Sequence, residues 1–336
     1  MSIRFFRATL AAVIAFAALT LAQPAHAQQN QDLASQKPVA IVAGAYGDAQ
    51  IKIGDSDWRK SYALDLVPPT TQFKTGNDGR FVIIYLYDDH RELLAPNSTG
   101  TTDFRGLINT TGKASREPSK SGGMEFSVPY ITKLKLNQPQ FANANSPGEM
   151  QRELDFMSSY VDVTRYPPIF HWRNAKMNPY SIQLFNESKQ FIYGKRVSQP
   201  LYTFPTRAPF QLIKTGTYYW QVLGPQNQII VAQYAFRLLT LPLVKYVAQQ
   251  ERVFDAVQAK QKGDTVSATE LFLVLNHYKT LDKGIHLLQE WAKLEPTNPN
   301  VFRNLCRGYI LKGCPLMAQQ ALQKEIQLGG NDPVGP

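Results

Sequence analysis

Beyond its first 27 residues the chain has four histidines, His90, His171, His277 and His286, and two cysteines, Cys306 and Cys314, with which to do acid–base, nucleophilic or metal chemistry. Nucleophilic catalysis needs a Ser or Cys beside a base that a third group orients. The chain has no Gly-x-Ser-x-Gly elbow. His277 and His286 are nine positions apart, which does not put two ligands on one helix face, and there is no His-Glu-x-x-His or Cys-x-x-Cys pattern. Asp88-Asp89 with Glu92 offers oxygens to a hard cation, but the stretch is too short for a coordinating loop and reads as an acidic hairpin turn. No carboxylate pair stands out for glycoside hydrolysis. No catalytic residue, cofactor or metal is expected, and the chain is not read as an enzyme.

Binding chemistry is better represented. Asp55-Ser56-Asp57-Trp58-Arg59-Lys60 is a polar, loop-like run, and an exposed tryptophan flanked by charge suits an interaction surface. Trp58, Arg59 and Lys60 are the candidate binding residues. Trp172, Tyr218, Tyr219 and Trp220 could stack on sugar rings, but their strand-like settings read as sandwich core, with His171 buried beside Trp172. Cys306 reads as mid-helix and Cys314 as the cap of the next helix. Two turns of helix between them exceed the roughly 7 Å Cα limit for a disulfide, so they read as separate small core residues.

The elements that position these residues fall into three textures. From Pro38, short apolar stretches alternate with turn residues: Val39 to Val42, Gln50 to Ile53, Gln72 to Lys74, Phe81 to Tyr87 and Glu92 to Ala95 read as strands. Gly76-Asn77-Asp78-Gly79 reads as a hairpin turn, Asp88-Asp89-His90 as a second tight turn, and Pro68-Pro69 as a connection or sheet edge. Thr110 to Tyr166 is rich in Ser, Pro, Asn, Gly and Lys and reads as a connector, with a strand over Glu125 to Leu136 and a short helix over Gly148 to Ser158. From Tyr166 strands return at Ile169 to Trp172, Tyr180 to Phe185, Phe191 to Tyr193, Leu201 to Phe204, Tyr218 to Val222 and Ile229 to Leu238, a β-sandwich pattern. After Pro242 the chain turns helical: Leu243 to Lys262 is one helix, and two hairpins repeat at 34 residues from Thr265 and Pro299.

The first 27 residues combine Arg4 and Arg7, an apolar run from Ala8 to Ala22 and Ala25-His26-Ala27 before Gln28. This is the layout of a secretory leader cleaved near Ala27-Gln28, and the apolar run is too short for a permanent span. The hydrophobic fraction of 43% supports packed cores. Removing Arg4 and Arg7 from the 36 basic residues leaves 34 against 26 acidic ones, a net charge of +8 that favours anionic surfaces. Export argues against nucleic acid as the target.

Three stretches resemble known families. Thr75-Gly76, Gly79-Arg80, the strand Phe81 to Leu86, Asp88-Asp89 and Leu94-Ala95-Pro96-Asn97-Ser98 resemble, in that order, the FecR-like domain, a periplasmic β-fold. His90 departs from the glycine usual there, and the cytoplasmic domain and membrane helix of the FecR regulators have no counterpart in the sequence. Pro168 to Trp172, Tyr180 to Leu184 and Gly216 to Val222 are similar to immunoglobulin or fibronectin-like repeats of envelope proteins. The 34-residue spacing, with Ala268, Leu271 and Leu275 matching Phe302, Leu305 and Tyr309, resembles tetratricopeptide repeats. Phe272 and Trp291 depart from the small residues usual at their positions. Two such repeats fall short of the three usually needed to stand alone, so the helices are expected to lean on the β region or on a partner.

The expected fold class is multidomain β plus α: a signal peptide at 1–27, a small FecR-like β domain at 38–110, a partly structured connector at 111–165, an immunoglobulin-like sandwich at 166–240 and tetratricopeptide-like helices at 243–330. The expected role is a non-enzymatic adaptor or scaffold of the periplasm that binds envelope proteins through its C-terminal helices. The alternatives are a peptidoglycan or anionic-polymer binder and a FecR-type signalling component. No transmembrane segment is expected in the mature chain, whose destination is the periplasm or the outside of the cell.

Overall fold

A computed structural model describes residues 37–118, 124–126, 158–165, 167–173, 178–205 and 215–330. The leader, the strand expected over Glu125 to Leu136 beyond Phe126, and the helix expected over Gly148 to Ser158 before its last residue lie outside the described residues.

The first unit contains β1 (Ala40–Tyr46), β2 (Ala49–Lys52), β3 (Arg59–Lys60), β4 (Leu66–Val67), β5 (Gln72–Thr75), β6 (Arg80–Tyr85), β7 (Arg91–Leu94), β8 (Thr99–Thr102), β9 (Leu107–Thr111) and β10 (Ala114–Glu117). An inner antiparallel sheet has the order β10-β7-β6-β1-β4, and an outer one the order β3-β2-β5-β8-β9. Val42, Ile83, Tyr85 and Leu94 of the inner sheet pack with Ile51 and Phe73 of the outer one. Ile41, Ala43, Ile84 and Leu86 contribute to a second core, shared with the helices. Burial on both faces explains why β1 and β6 read as near-continuous apolar runs.

Gly76-Asn77-Asp78-Gly79 is not a hairpin turn. It joins β5, in the outer sheet, to β6, in the inner one, and so forms a corner between sheets. The corner packs against the parallel crossing from β1 to β2. Gly76 N–H donates to Asp48 O at 2.8 Å, and a Cβ on Gly79 would lie 2.0 Å from that same oxygen. Glycine is required there by a backbone-to-backbone approach. Asp88-Asp89-His90 does close a hairpin, since β6 and β7 pair from Ile84↔Arg91 to Phe81↔Leu94. The boundary expected at 110 falls inside β9, and β10 pairs with β7 beyond it. Both are polar edge strands, which is why their composition reads as connector.

The second unit contains β11 (Tyr160–Asp162), β12 (Ile169–His171), β13 (Tyr180–Phe185), β14 (Phe191–Val197), β15 (Leu201–Thr203), β16 (Gly216–Leu223) and β17 (Ile229–Leu238). A three-stranded sheet, β11-β12-β15, faces a four-stranded one, β14-β13-β16-β17. Phe170 from the first meets Trp220 and Phe236 from the second at ring-centroid distances of 5.2 and 5.3 Å.

Five helices follow among the described residues: α1 (Leu241–Lys260), α2 (Thr265–His277), α3 (Leu281–Leu294), α4 (Pro299–Lys312) and α5 (Pro315–Gln327). α1 starts two residues before the expected Leu243, because Pro242 occupies its first turn, where no N–H is needed. Gly263, at φ 83°, breaks the chain, and Asp264 caps α2 by accepting from Ser267 N–H at 2.7 Å. The α2 and α4 starts keep the 34-residue offset. Cys306 and Cys314 are both buried and are not bonded to each other.

The helices lean on both β units. From α2, Thr269 Oγ1 donates to Ala43 O at 3.3 Å, and Glu270 pairs with Arg91. From the start of α4, Asn300 Nδ2 donates to Ala63 O (3.2 Å) and Asp65 Oδ1 (3.0 Å). On the other side, buried Lys312 bonds Asp282 Oδ1 and Ser159 O, both at 2.7 Å, and Tyr234 of β17 also reaches Asp282 (3.2 Å). One apolar core runs from Ile41 and Ile84 through the helices to Phe170 and Trp220.

Candidate functional site

The three residues singled out by sequence lie side by side at the start of β3, all of them exposed. Trp58 is 40% exposed. Arg59 is committed to structure: Nη2 and Nη1 donate to Asp65 Oδ1 and Oδ2 at 2.8 and 3.1 Å. Asp65 also accepts from Ser61 Oγ, Tyr62 N–H and Asn300 Nδ2. This bidentate pair locks the β3 edge to the loop on which α4 rests. Lys60 lies over the Tyr62 ring, 5.3 Å from its centroid.

His90, in the turn of the β6–β7 hairpin, is only 2% exposed and stacks on Tyr85 at 4.4 Å. Its Nδ1 is 2.5 Å from Asp88 Oδ1 and its Nε2 3.5 Å from Glu92 Oε1. Glu92 Oε2 accepts from Leu107 N–H at 2.5 Å, so the cluster ties the β6–β7 hairpin to β9. Burial raises the Asp88 carboxyl, but hydrogen bonds from the His90 ring and backbone N–H more than offset this and hold it below the usual range. A histidine between two carboxylates has the makings of acid–base chemistry, yet this one is sealed from solvent and acts as a hairpin lock.

The remaining histidines are dispersed. His171 is half-buried rather than buried, stacked on Tyr160 at 4.5 Å. Burial lowers the pKa of His277, helped by Arg237, and His286 is exposed. No group of three His, Cys, Asp or Glu side chains is placed to hold a metal ion among the described residues. Trp172 and Trp220 are core residues, and Tyr218 stacks inward on Phe236 (5.9 Å). Tyr219 differs: it faces outward under Lys189.

The candidate site is a groove of about 440 Å³ where the inner sheet meets the α1–α2 corner. Strand register sets its floor. Ser115, Leu93 and Val82 form one rung across β10, β7 and β6. Ala95 and Arg80 line the next, with Tyr46 opposite Arg80 on β1. The Tyr46 ring folds back over Gly44, where a Cβ would come within 2.6 Å of it. The ring is covered by the Arg80 guanidinium at 4.3 Å, and its hydroxyl bonds Thr265 Oγ1 at 3.1 Å. Burial raises the pKa of Tyr46, so it stays neutral. Gln261, Asp264 and Val266 make the opposite wall, and the Asp264 carboxylate is engaged as the α2 cap.

The groove thus has an apolar floor, a cationic rim of Arg80 and Lys113, and beside it β10, the edge of its sheet among the described residues, with all four residues exposed. No histidine or cysteine lines it. An edge strand beside side-chain pockets is the arrangement that takes up extended peptides. Sequence reading missed this site because its walls lie in separate elements. The one local signal was the loss of apolar character at β10, which marks an edge.

No protein-family model matches the chain, and a search of curated proteins gives no match. No helix among the described residues is long and apolar enough to cross a membrane.

Proposed function

We propose that this chain is a non-enzymatic adaptor of the cell envelope, exported to the periplasm, that binds an extended segment of a partner protein in the groove along β10. The observation that carries this reading is the groove itself: an exposed strand, at the edge of its sheet among the described residues, beside apolar and cationic pockets. The helices enter this reading as one wall of the site rather than as a free gripping arm. Faces of α2 and α4 that a partner could otherwise occupy are packed against Ala43, Ala63 and Asp65. The likeness of the three regions to FecR-like, immunoglobulin-like and tetratricopeptide-like modules agrees with a binding role by fold analogy alone.

The test is site-specific photo-crosslinking in intact cells, with the crosslinker at Ser115 in the groove or at Lys245 on α1. One defined envelope protein captured from Ser115 but not from Lys245, and lost on Arg80→Glu with Lys113→Glu, is the expected result. Equal capture from both positions, or capture indifferent to charge reversal, rules the groove out.

A further inference from the structure

The positive charge of the chain is concentrated in one region. Residues 166–240 contain eight Lys and Arg and a single acidic residue, Glu187, so this region carries +7 of the +8 outside the leader. The first β unit, residues 38–117, has nine basic and ten acidic residues and is nearly neutral. The attraction for anions therefore centres on the second unit, away from the groove.

The outer face of the four-stranded sheet is organised in rungs. On β13, Tyr180, Ile182 and Leu184 are buried, while Ser181, Gln183 and Phe185 alternate outward. Register places Phe191 of β14 and Tyr219 of β16 on either side of Phe185. Gly194 and Gln221 flank Gln183, and Arg196 and Leu223 flank Ser181. Successive rungs are about 7 Å apart, two residues along a strand.

The first rung is aromatic. Phe191 is 60% exposed, meets Phe185 edge-on at 6.0 Å, and leans over Gly194, where a Cβ would lie 3.0 Å from the ring. Lys189 Nζ is 5.2 Å from the Tyr219 ring centroid. In the second rung Gln221 Nε2 donates to Gln183 Oε1 at 2.6 Å, which leaves the Gln183 amide donors and the Gln221 carbonyl to other partners. The third rung adds the Arg196 guanidinium. Arg196 and its neighbour Lys195 are exposed, and neither has an ion pair with a described residue.

We propose that this face binds a linear anionic glycan. Phe185 and Phe191 supply ring faces for apolar sugar faces, Tyr219 holds Lys189 over its ring, and Gln183 and Gln221 exchange hydrogen bonds with hydroxyls. Arg196 and Lys189 meet the carboxylate or phosphate groups. An amide pair amid the aromatics offers donors and acceptors that an acyl chain cannot use, and the rungs follow one another along the strands as the units of an extended polymer would. The inference is independent of the groove.

The test is calorimetric titration of the mature chain with four probes: uronate oligosaccharides, phosphate-bearing glycan oligomers, a neutral oligosaccharide of equal length, and phosphatidylglycerol vesicles. Binding to the uronate or the phosphate-bearing oligomer, weakened by salt, is the expected result, and the choice between them identifies the anionic group. Phe191→Ala and Arg196→Gln should each weaken it at least about tenfold with the unfolding temperature unchanged, Arg196→Gln also flattening the salt dependence. Binding to neither charged glycan, equal binding of the neutral sugar, preference for vesicles, or binding indifferent to Phe191→Ala overturns the proposal. Polyphosphate as an added competitor separates sugar recognition from ion exchange: displacement as effective as by the glycan itself also overturns it.

Discussion

Asn300→Ala tests most directly whether the helices and the first β unit fold as one body. The Asn300 side chain is buried and donates to Asp65 Oδ1 at 3.0 Å and Ala63 O at 3.2 Å, 235 and 237 residues away in sequence. Truncation removes one hydrogen bond to a buried carboxylate, worth about 1.5–3 kcal/mol, and one to a backbone carbonyl, worth about 0.5–1.5 kcal/mol. It also removes the longer bond that Asn300 Oδ1 accepts from Arg303 Nη1 at 3.2 Å, whose donor residue stays paired with Glu325. The α4 cap survives, because Asn298 Oδ1 accepts from the Asn300 backbone N–H, which the substitution keeps. The expected loss is therefore about 2–4.5 kcal/mol. With an unfolding entropy of about 2.1 cal/mol/K per residue over roughly 300 residues, each kcal/mol moves the midpoint by about 1.5 °C, so the unfolding temperature should fall by roughly 3–7 °C. Far-UV circular dichroism follows the helices, and tryptophan fluorescence follows Trp58 of the first β unit, Trp172 and Trp220 of the second and Trp291 of α3 together. Both midpoints should fall together. A helical signal that falls alone, or a loss below about 0.5 kcal/mol, refutes the reasoning that these contacts bind the units into one cooperative structure.

Gly79→Ala should destabilise by at least about 2 kcal/mol in urea unfolding, because its Cβ would lie 2.0 Å from Asp48 O, whereas Asn77→Ala in the same exposed corner should stay within about 0.5 kcal/mol. Arg59→Ala should lower stability by roughly 1.5–3 kcal/mol through loss of the bidentate bond to Asp65, while Lys60→Ala should change it by less than about 0.5 kcal/mol; equal effects in thermal unfolding would remove the structural role given to Arg59. The Asp88 carboxyl is lowered in the folded state, so its contribution is present above the ordinary value of 3.8 and is lost as pH falls through the folded value. Asp88→Asn should flatten the acid side of the stability profile below about pH 4; a profile as steep as that of the unchanged chain contradicts the assignment.

The local elements were legible in the sequence. Tyr180 to Phe185 and Ile229 to Leu238 are strands with those bounds, and α2 and α4 begin 34 residues apart. Period-two alternation, turn residues and repeat spacing depend on neighbours a few positions away, which a linear reading contains. Mixed β and α architecture followed from the same signals. What the linear reading lacked was the partner of each surface. Gly76-Asn77-Asp78-Gly79 was visible as a bend, but whether β6 returned beside β5 or crossed to another sheet was decided by the packing of the corner on Asp48. Nothing in the sequence showed that Arg59, read as a binding residue beside Trp58, also pairs with Asp65, which in turn holds Asn300. That His90 sits in a turn was legible; that Tyr85, Asp88 and Glu92 close around it was not. The groove and the aromatic rungs join strands whose register is set by pairing across the sheet. The sequence by itself determined which segments become strands and helices and that they carry charge and aromatic rings; the tertiary structure alone decided which of those side chains are spent on the core and which remain free, because burial depends on contacts between residues far apart in the chain.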